Sequence, residues 1–239
     1  MNALILAAGK GTRLYPLTLD RPKALVEVGG ITLLERAILK LSHDGFRRII
    51  VNIHHFGDQL MAFLQSHSWP EVEIIISDER EQLLDTGGAI KRAGKFLLGS
   101  SFLVYNVDVV TDLNLMDLYH SHTLNNPLAT LAVSQRPTTR LLYFDKQMLL
   151  KDRVSKKPSN DVSSPAKDSY QTFAFSGIHI VSDKILDFMP TEDVFSIMDL
   201  YLKLCKTYPI MGYDHTGIFW MDLGTVEKIQ VFEKNHIHY

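Results

Sequence analysis

The residues best suited to chemistry lie near the start of the chain, in Leu6-Ala7-Ala8-Gly9-Lys10-Gly11-Thr12-Arg13, followed at a distance by Lys23. Small residues and glycines let backbone N–H groups approach a phosphate with no Cβ in the way. The segment carrying Leu6, Ala8, Gly9, Gly11 and Thr12 is therefore expected to cradle a nucleoside triphosphate. Arg13 and Lys23 add two fixed positive charges, which suit a polyphosphate whose charge must be neutralised before a nucleophile can reach phosphorus. A carboxylate is expected opposite them. Asp108 follows the apolar run Phe102–Asn106, at the carboxyl end of a central strand where ligand crevices of α/β sheets open, and reads as a Mg²⁺ ligand.

Two other glycine loops do not fit. A dinucleotide-binding loop needs a third glycine and an immediate helix, whereas this chain has Leu14 there and prolines at Pro16 and Pro22. The P-loop needs four residues between its first glycine and Gly-Lys-Ser/Thr, and Gly9-Lys10-Gly11-Thr12 lacks that spacing.

The stretch Leu6-Ala7-Ala8-Gly9, Gly11, Arg13-Leu14, Pro16-Leu17-Thr18 and Pro22-Lys23 resembles the opening of the sugar-1-phosphate nucleotidyltransferases. The likeness is greatest to their short single-domain members, the N-acetylmuramate-1-phosphate uridylyltransferases and mannose-1-phosphate guanylyltransferase-like proteins. Two further stretches carry it: Leu84-Asp85-Thr86-Gly87-Gly88, and Trp220-Met221-Asp222-Leu223-Gly224-Thr225. The resemblance implies that Thr86, Gly87 and Gly88 contact the nucleotide base, and that Asp222 is the second ligand of the Mg²⁺ held by Asp108. It makes Arg13, Lys23 and Asp108 the catalytic set. Asn106 and Gly177, the latter within Ser176-Gly177-Ile178, are expected on the sugar side. The Lys156-Lys157-Pro158 element resembles one used near the sugar phosphate, although a solvated lysine pair reads as well. One departure stands out: where the family has glycine before the metal-binding aspartate, this chain has Val107.

These residues must be positioned by alternating elements. Apolar runs predict strands over 3–6, 49–53, 72–76 and 102–106, and helical spacing predicts helices over 32–43, 57–67 and 84–97 between them. That alternation argues for an α/β fold with a mixed, mostly parallel sheet and helices on both faces, which the resemblance sharpens to a Rossmann-like nucleotidyltransferase fold. Beyond it, a helix over 113–125 is expected to be capped by Asp112. Strands are expected over 129–134, 141–144, 172–181 and 209–213. A helix over 196–208 should bury Cys205, and a last helix should begin near Thr225. The Ser-, Lys- and Asp-rich stretch 153–171 reads as an exposed loop. His120, His122, His236 and His238 have poor spacing for a metal and take no role.

The whole length, 1–239, reads as one domain. Apolar residues make up 46% of the chain, with one Cys and a formal net charge of −2. That composition excludes a disulfide framework and gives no long-range pull toward nucleic acid or anionic lipid. Neither nucleic acid nor membrane is expected as a partner, and a cytoplasmic monomer or homodimer is. The activity implied is transfer of a nucleoside monophosphate, from UTP by preference, to a sugar 1-phosphate. Rival readings are a cytidylyltransferase acting on a non-sugar phosphate such as phosphocholine, and a sensor that binds nucleotide-sugars without turnover.

Overall fold

The structure is a computed structural model that describes residues 1–154 and 170–235. Its strands are β1 (Asn2–Leu6), β2 (Glu27–Val28), β3 (Ile31–Thr32), β4 (Arg48–Ile53), β5 (Glu73–Asp78), β6 (Phe102–Asn106), β7 (Val109–Thr111), β8 (Ala129–Ser134), β9 (Leu141–Phe144), β10 (Leu150–Arg153), β11 (Gln171–Val181), β12 (Ile210–Asp214) and β13 (Trp220–Asp222). Its helices are α1 (Leu33–His43), α2 (Gly57–Ser66), α3 (Asp85–Ala93), α4 (Leu115–Asn125), α5 (Ile197–Leu204) and α6 (Val226–Asn235).

Parallel pairing of β5, β4, β1 and β6 builds one half of a nine-stranded sheet. Burial of both faces explains why these strands are continuous apolar runs. Along β4, Ile49, Val51 and Ile53 point into one core with α1, α2 and α4, while Ile50 points into the other with α3 and α5. A second half is mixed: β11 pairs antiparallel with β6, β8 and β9, β9 antiparallel with β10, and β8 parallel with β12. This is the expected α/β architecture with helices on both faces.

The topology leaves a notch. Strand β8 runs along one edge of β11, so β6 and β9 share the other edge end to end. Gly177, next to the β6-paired Ile178, packs on Asn106, and Ala174 pairs with Leu141 of β9. Three residues at about 3.3 Å each leave roughly 10 Å of open strand edge. The register against β8 also breaks between Phe175 and His179, so β11 bends at the notch.

Helix ends differ from expectation for local reasons. Asn114, not Asp112, caps α4 by accepting the N–H of Met116 and Asp117, while the Asp112 N–H donates to Phe219 O. Helix α5 stops at Leu204, where the N–H groups of Thr207 and Tyr208 both turn back to Leu204 O, and Cys205 is half-buried against Lys151 O. Thr32 caps α1 by accepting the Glu35 N–H at 3.1 Å, an interaction typically worth about 1 kcal/mol. His122 is buried between Ser101 and Thr130. Lys156-Lys157-Pro158, most of the 153–171 stretch, and His236 and His238 lie outside the described residues. No helix among the described residues is long and apolar enough to cross a membrane.

Candidate active site

Two cavities open at the carboxyl ends of β1 and β6 and meet at Asn106 and Asp108, which line both. The first, about 470 Å³, is bounded by Leu6, Ala8, Gly9, Lys23, Asn52, Glu79, Thr86 and Val107. The second, about 890 Å³, occupies the notch and is bounded by Arg13, Arg136, Arg140, Gly177, Trp220, Asp222 and Lys228 among others.

At the end of β1 the chain turns sharply, and the turn is fixed from β4. Asn52 Oδ1 accepts the N–H groups of Ala7 and Ala8 at 2.6 and 3.2 Å. Ala8 therefore lines the cavity, but its N–H is committed to Asn52 and is not a free phosphate donor. Gly11 has φ +66, and a Cβ there would sit 2.8 Å from Lys23 Cβ and 3.0 Å from Thr18 Cγ2. Its requirement for glycine is thus twofold: a left-handed backbone, and the close seating of the 3₁₀ turn Lys23–Leu25. Thr12 opens a short 3₁₀ turn, Thr12–Leu14, in keeping with prolines that forbid a longer helix. Gly11 and Thr12 shape the loop without lining the first cavity.

The paired glycines of α3 are explained differently from the reading above. A Cβ on Gly87 would lie 2.3 Å from the Phe195 ring, and one on Gly88 would lie 1.9 Å from Asp193 O. The Gly87 N–H donates to Phe195 O at 2.9 Å. Both glycines are buried and let residues 193–195 lie against the helix, so their surfaces are taken by protein. Asp85 and Thr86 face the cavity instead, with Thr86 Oγ1 also accepting the Ile197 N–H at 3.0 Å.

Asp108 and Asp222 are far apart in sequence and adjacent in space. The β7–β13 ribbon sets Asp222 opposite Val109, and the Leu223 N–H donates to Asp108 O at 2.7 Å. A Cβ on Gly224 would lie 3.1 Å from Asp222 Oδ1, 3.2 Å from Asp108 Oδ2 and 3.0 Å from Arg13 Nη2. The two carboxylate oxygens are therefore no farther apart than the sum of the first two distances. That bound admits the separation of at most roughly 4.2 Å between two oxygens that share one Mg²⁺ at ~2.1 Å each. Each carboxylate also carries an ammonium group: Lys23 Nζ donates to Asp108 Oδ2 at 2.5 Å, and Lys228 Nζ is paired with Asp222 Oδ2. Val107 is buried beside Asp108 and donates its N–H to Leu6 O. Asp108 still converges with Asp222.

On the notch side, Gly177 has φ +74, and a Cβ there would collide with Asn106 Nδ2 at 2.5 Å. The close approach expected at Gly177 is thus made by the Asn106 side chain. Trp220 donates from Nε1 to Ser176 O at 2.9 Å, and Arg136 lies 3.9 Å over the indole ring. Arg136 also donates to Ser134 Oγ, Ser176 Oγ and the Ala174 and Phe175 carbonyls. Ser176 Oγ, accepting from Arg136, can donate its O–H to His215 Nε2 at 2.7 Å. Burial first, and then the Arg136 charge, hold that imidazole below its ordinary pKa, which suits an acceptor.

The family model described as nucleotidyl transferase matches residues 2–236. The chain belongs to the nucleotidyl transferase family. This member is 31% identical to an N-acetylmuramate alpha-1-phosphate uridylyltransferase of Caulobacter vibrioides, over 93% of this chain and 91% of the relative. It is 30% identical to mannose-1-phosphate guanylyltransferase catalytic subunit beta of Drosophila melanogaster, over 93% of this chain and 59% of that one. Its fold is that of HddC from Yersinia pseudotuberculosis, with TM-score 0.78, 24% identity and 98% of both chains covered.

Four polar residues of this nucleotidyl transferase were not singled out from sequence. Asn52 interrupts the apolar run of β4, and that interruption was a usable signal. Glu79 is 2% exposed; its Oε1 accepts from Asn52 Nδ2 at 3.0 Å, and its Oε2 is buried. Burial pushes its carboxyl up to about 7. Arg136 had no comparable signal, because what brings it to the notch is the pairing of distant strands, and Lys228 reads as an ordinary helix lysine of α6.

Proposed function

We propose that the chain transfers a nucleotidyl group from a nucleoside triphosphate, UTP by preference, to the phosphate of a sugar 1-phosphate. The observation that carries this reading is the convergence of Asp108 and Asp222 at the seam between two cavities. One cavity suits a nucleotide and the other a sugar. The preference for uridine draws on the Caulobacter relative, a uridylyltransferase, and on a second, from Neisseria meningitidis, 29% identical over 96% of both chains.

The donor set fits a magnesium ion. Two carboxylates face one point, the Cβ-less Gly224 leaves room there, and no group of three or more His, Cys, Asp or Glu suited to a metal occurs among the described residues. Magnesium uses few protein carboxylates and completes its octahedral shell with water and phosphate oxygens. Asp108 and Asp222 would hold it, and bound there it would supply charge neutralisation at the α-phosphate.

The remaining work falls to the chain's own residues. Lys23 stabilises negative charge growing on the α-phosphate, Gly9 lines the nucleotide cavity beside it, and Arg13, which stands with the carboxylate pair over Gly224, neutralises the departing phosphates from the seam. An oxygen of the acceptor phosphate bonds to the α-phosphorus as the bond to the β-phosphate oxygen breaks, and pyrophosphate leaves with that electron pair. The acceptor is already an anion, so positioning and charge suffice and no strong base is needed. The enzyme would work in the cytoplasm as a monomer or homodimer. A matrix of four nucleoside triphosphates against sugar 1-phosphates and phosphocholine, scored by Mg²⁺-dependent pyrophosphate release, tests the proposal. Turnover with a sugar phosphate is the expected result. Turnover with phosphocholine alone, or nucleotide binding with no turnover, would overturn it.

A further inference from the structure

Strand β11 crosses the notch with part of its length unpaired. Its pairing with β9 ends at Ala174, its pairing with β6 begins at Ile178, and its pairing with β8 lapses between Phe175 and His179. Ser176 and Gly177 therefore have no strand partner on either edge, yet both line the notch cavity, and Gly177 presses on Asn106. A stretch without ladder bonds can shift unless something else takes its polar groups.

Two side chains take them. Arg136 donates from Nη2 to Phe175 O at 2.7 Å, and from Nη1 to Ala174 O at 3.2 Å and Ser176 Oγ at 3.1 Å. Trp220 donates from Nε1 to Ser176 O at 2.9 Å. Three consecutive carbonyls of the wall are thus held by side chains from two distant segments. The guanidinium is itself seated, 3.9 Å over the Trp220 ring and donating to Ser134 Oγ at the end of β8 at 2.7 Å. Trp220 opens β13, and Asp222 follows two residues on, on the same face of that strand. Burial lowers the Arg136 pKa and the Asp222 charge opposes that, so the guanidinium lies within the field of this carboxylate.

We infer that Arg136 is a positioning residue for the transfer: through its stack on Trp220 it fixes the wall from Ala174 to Gly177 relative to Asp222, and so sets where the acceptor oxygen meets the α-phosphorus. In-line attack needs the reacting atoms about 3–3.5 Å apart, and a misplacement of about 1 Å can cost on the order of a hundredfold in rate. Arginine suits the task because its planar fork supplies directed donors and a face that stacks, whereas lysine supplies a charge alone. With its donors on the wall and its face on the indole, the guanidinium acts through the wall. The inference rests on the proposed function in taking the notch as the acceptor half.

Steady-state kinetics with the triphosphate and acceptor that the parent turns over in the substrate matrix, set beside calorimetric titration of that triphosphate, test it. Arg136→Lys and Arg136→Gln should each lower kcat at saturating acceptor about tenfold or more, with the triphosphate Kd within about twofold. Trp220→Phe, which keeps a ring and loses the Nε1 donor, should lower kcat about threefold or more, and the double variant Arg136→Gln/Trp220→Phe should lose less than the product of the single losses. A further readout needs no turnover: with Trp69, the chain's other tryptophan, replaced by Phe, Arg136→Gln should shift the emission of Trp220. Unchanged emission would overturn the inference, and so would parental kcat in Arg136→Lys with only a raised acceptor KM in Arg136→Gln, which would make Arg136 a charge acting on the acceptor itself. Should the Arg136 variants fail to fold, parental kcat in Trp220→Phe would overturn it. All of these leave the proposed function standing. A parent that turns over no acceptor would sink the proposed function and, with it, any positioning for transfer.

Discussion

The two halves of the crevice are built on different principles. The proposed donor half is shaped by backbone, the parallel strand ends and a turn that Gly11 seats and Asn52 fixes by two amides, with Lys23, Asn52, Glu79 and Thr86 on its walls. The acceptor half is made by side chains, on an antiparallel extension that bends and opens at β11. A backbone site suits a ligand part common to all substrates, the triphosphate. A side-chain site can be changed residue by residue without disturbing the sheet, which suits the part that varies. The carboxylates of Asp108 and Asp222 sit where the halves join.

The largest expected effects come from breaking that junction. Asp108→Asn and Asp222→Asn should each lower turnover by more than about a hundredfold and weaken its Mg²⁺ dependence. The double variant should lose far less than the product of the single losses, because groups acting as one unit are non-additive. Kinetics across Mg²⁺ concentrations check this. Losses that simply multiply would mean the two residues serve separate ions or steps.

The contrast between the halves also explains what could be read in the chain. Leu6 to Lys23 was legible because a turn that seats Lys23 against Gly11 needs small residues at fixed offsets, and a local constraint leaves a local pattern. The sheet and its helices were legible for the same reason: Ile49 to Ile53 can alternate between two cores only in a strand covered on both faces. Gly87 and Gly88 were legible as exceptional but not as to cause, since the partner that demands them, residues 193–195, lies more than a hundred positions away. Arg136 was hidden in the same way, 40 positions from Ser176, whereas Lys228 lies only six positions past Asp222 on α6 and reads as an ordinary helix lysine. The neighbours of Arg136, Ser176 and Trp220, are set by strand pairing, and no spacing records that.

Separability of the halves is tested at Gly177. Alanine there must move the Asn106 amide, now 2.5 Å from the would-be Cβ, and must also adopt φ +74. We expect Gly177→Ala to raise the acceptor KM about tenfold and to destabilise the fold by about 1–2 kcal/mol. The nucleotide dissociation constant should stay within about twofold. Calorimetric titration of nucleotide beside steady-state kinetics in acceptor separates the two. A matching loss of nucleotide affinity would show that Asn106 couples the halves rather than dividing them.

The smallest effect on turnover is expected at Glu79, on the donor side. Its carboxyl is pushed up to about 7 from an ordinary 4.5, first by burial and against the opposing hydrogen bond from Asn52. Between pH 4.5 and 7 the folded protein keeps a proton that the unfolded chain has released. The stability this group contributes is therefore present in full at lower pH, falls as pH rises through that window, and levels off above it. A shift of this size corresponds to a difference on the order of 3 kcal/mol. Glu79→Gln retains an oxygen for the Asn52 amide and removes the ionisation. Its denaturation midpoint should accordingly fall less than the parent's between pH 5 and 8, and should equal or exceed the parent's at pH 8. Its nucleotide affinity should differ by no more than a few-fold at pH 6, where Glu79 is mostly neutral in the parent, and the two should diverge toward pH 8. Parallel stability profiles for parent and variant would mean that Glu79 ionises as a solvated carboxylate does, and that water reaches it despite its 2% exposure.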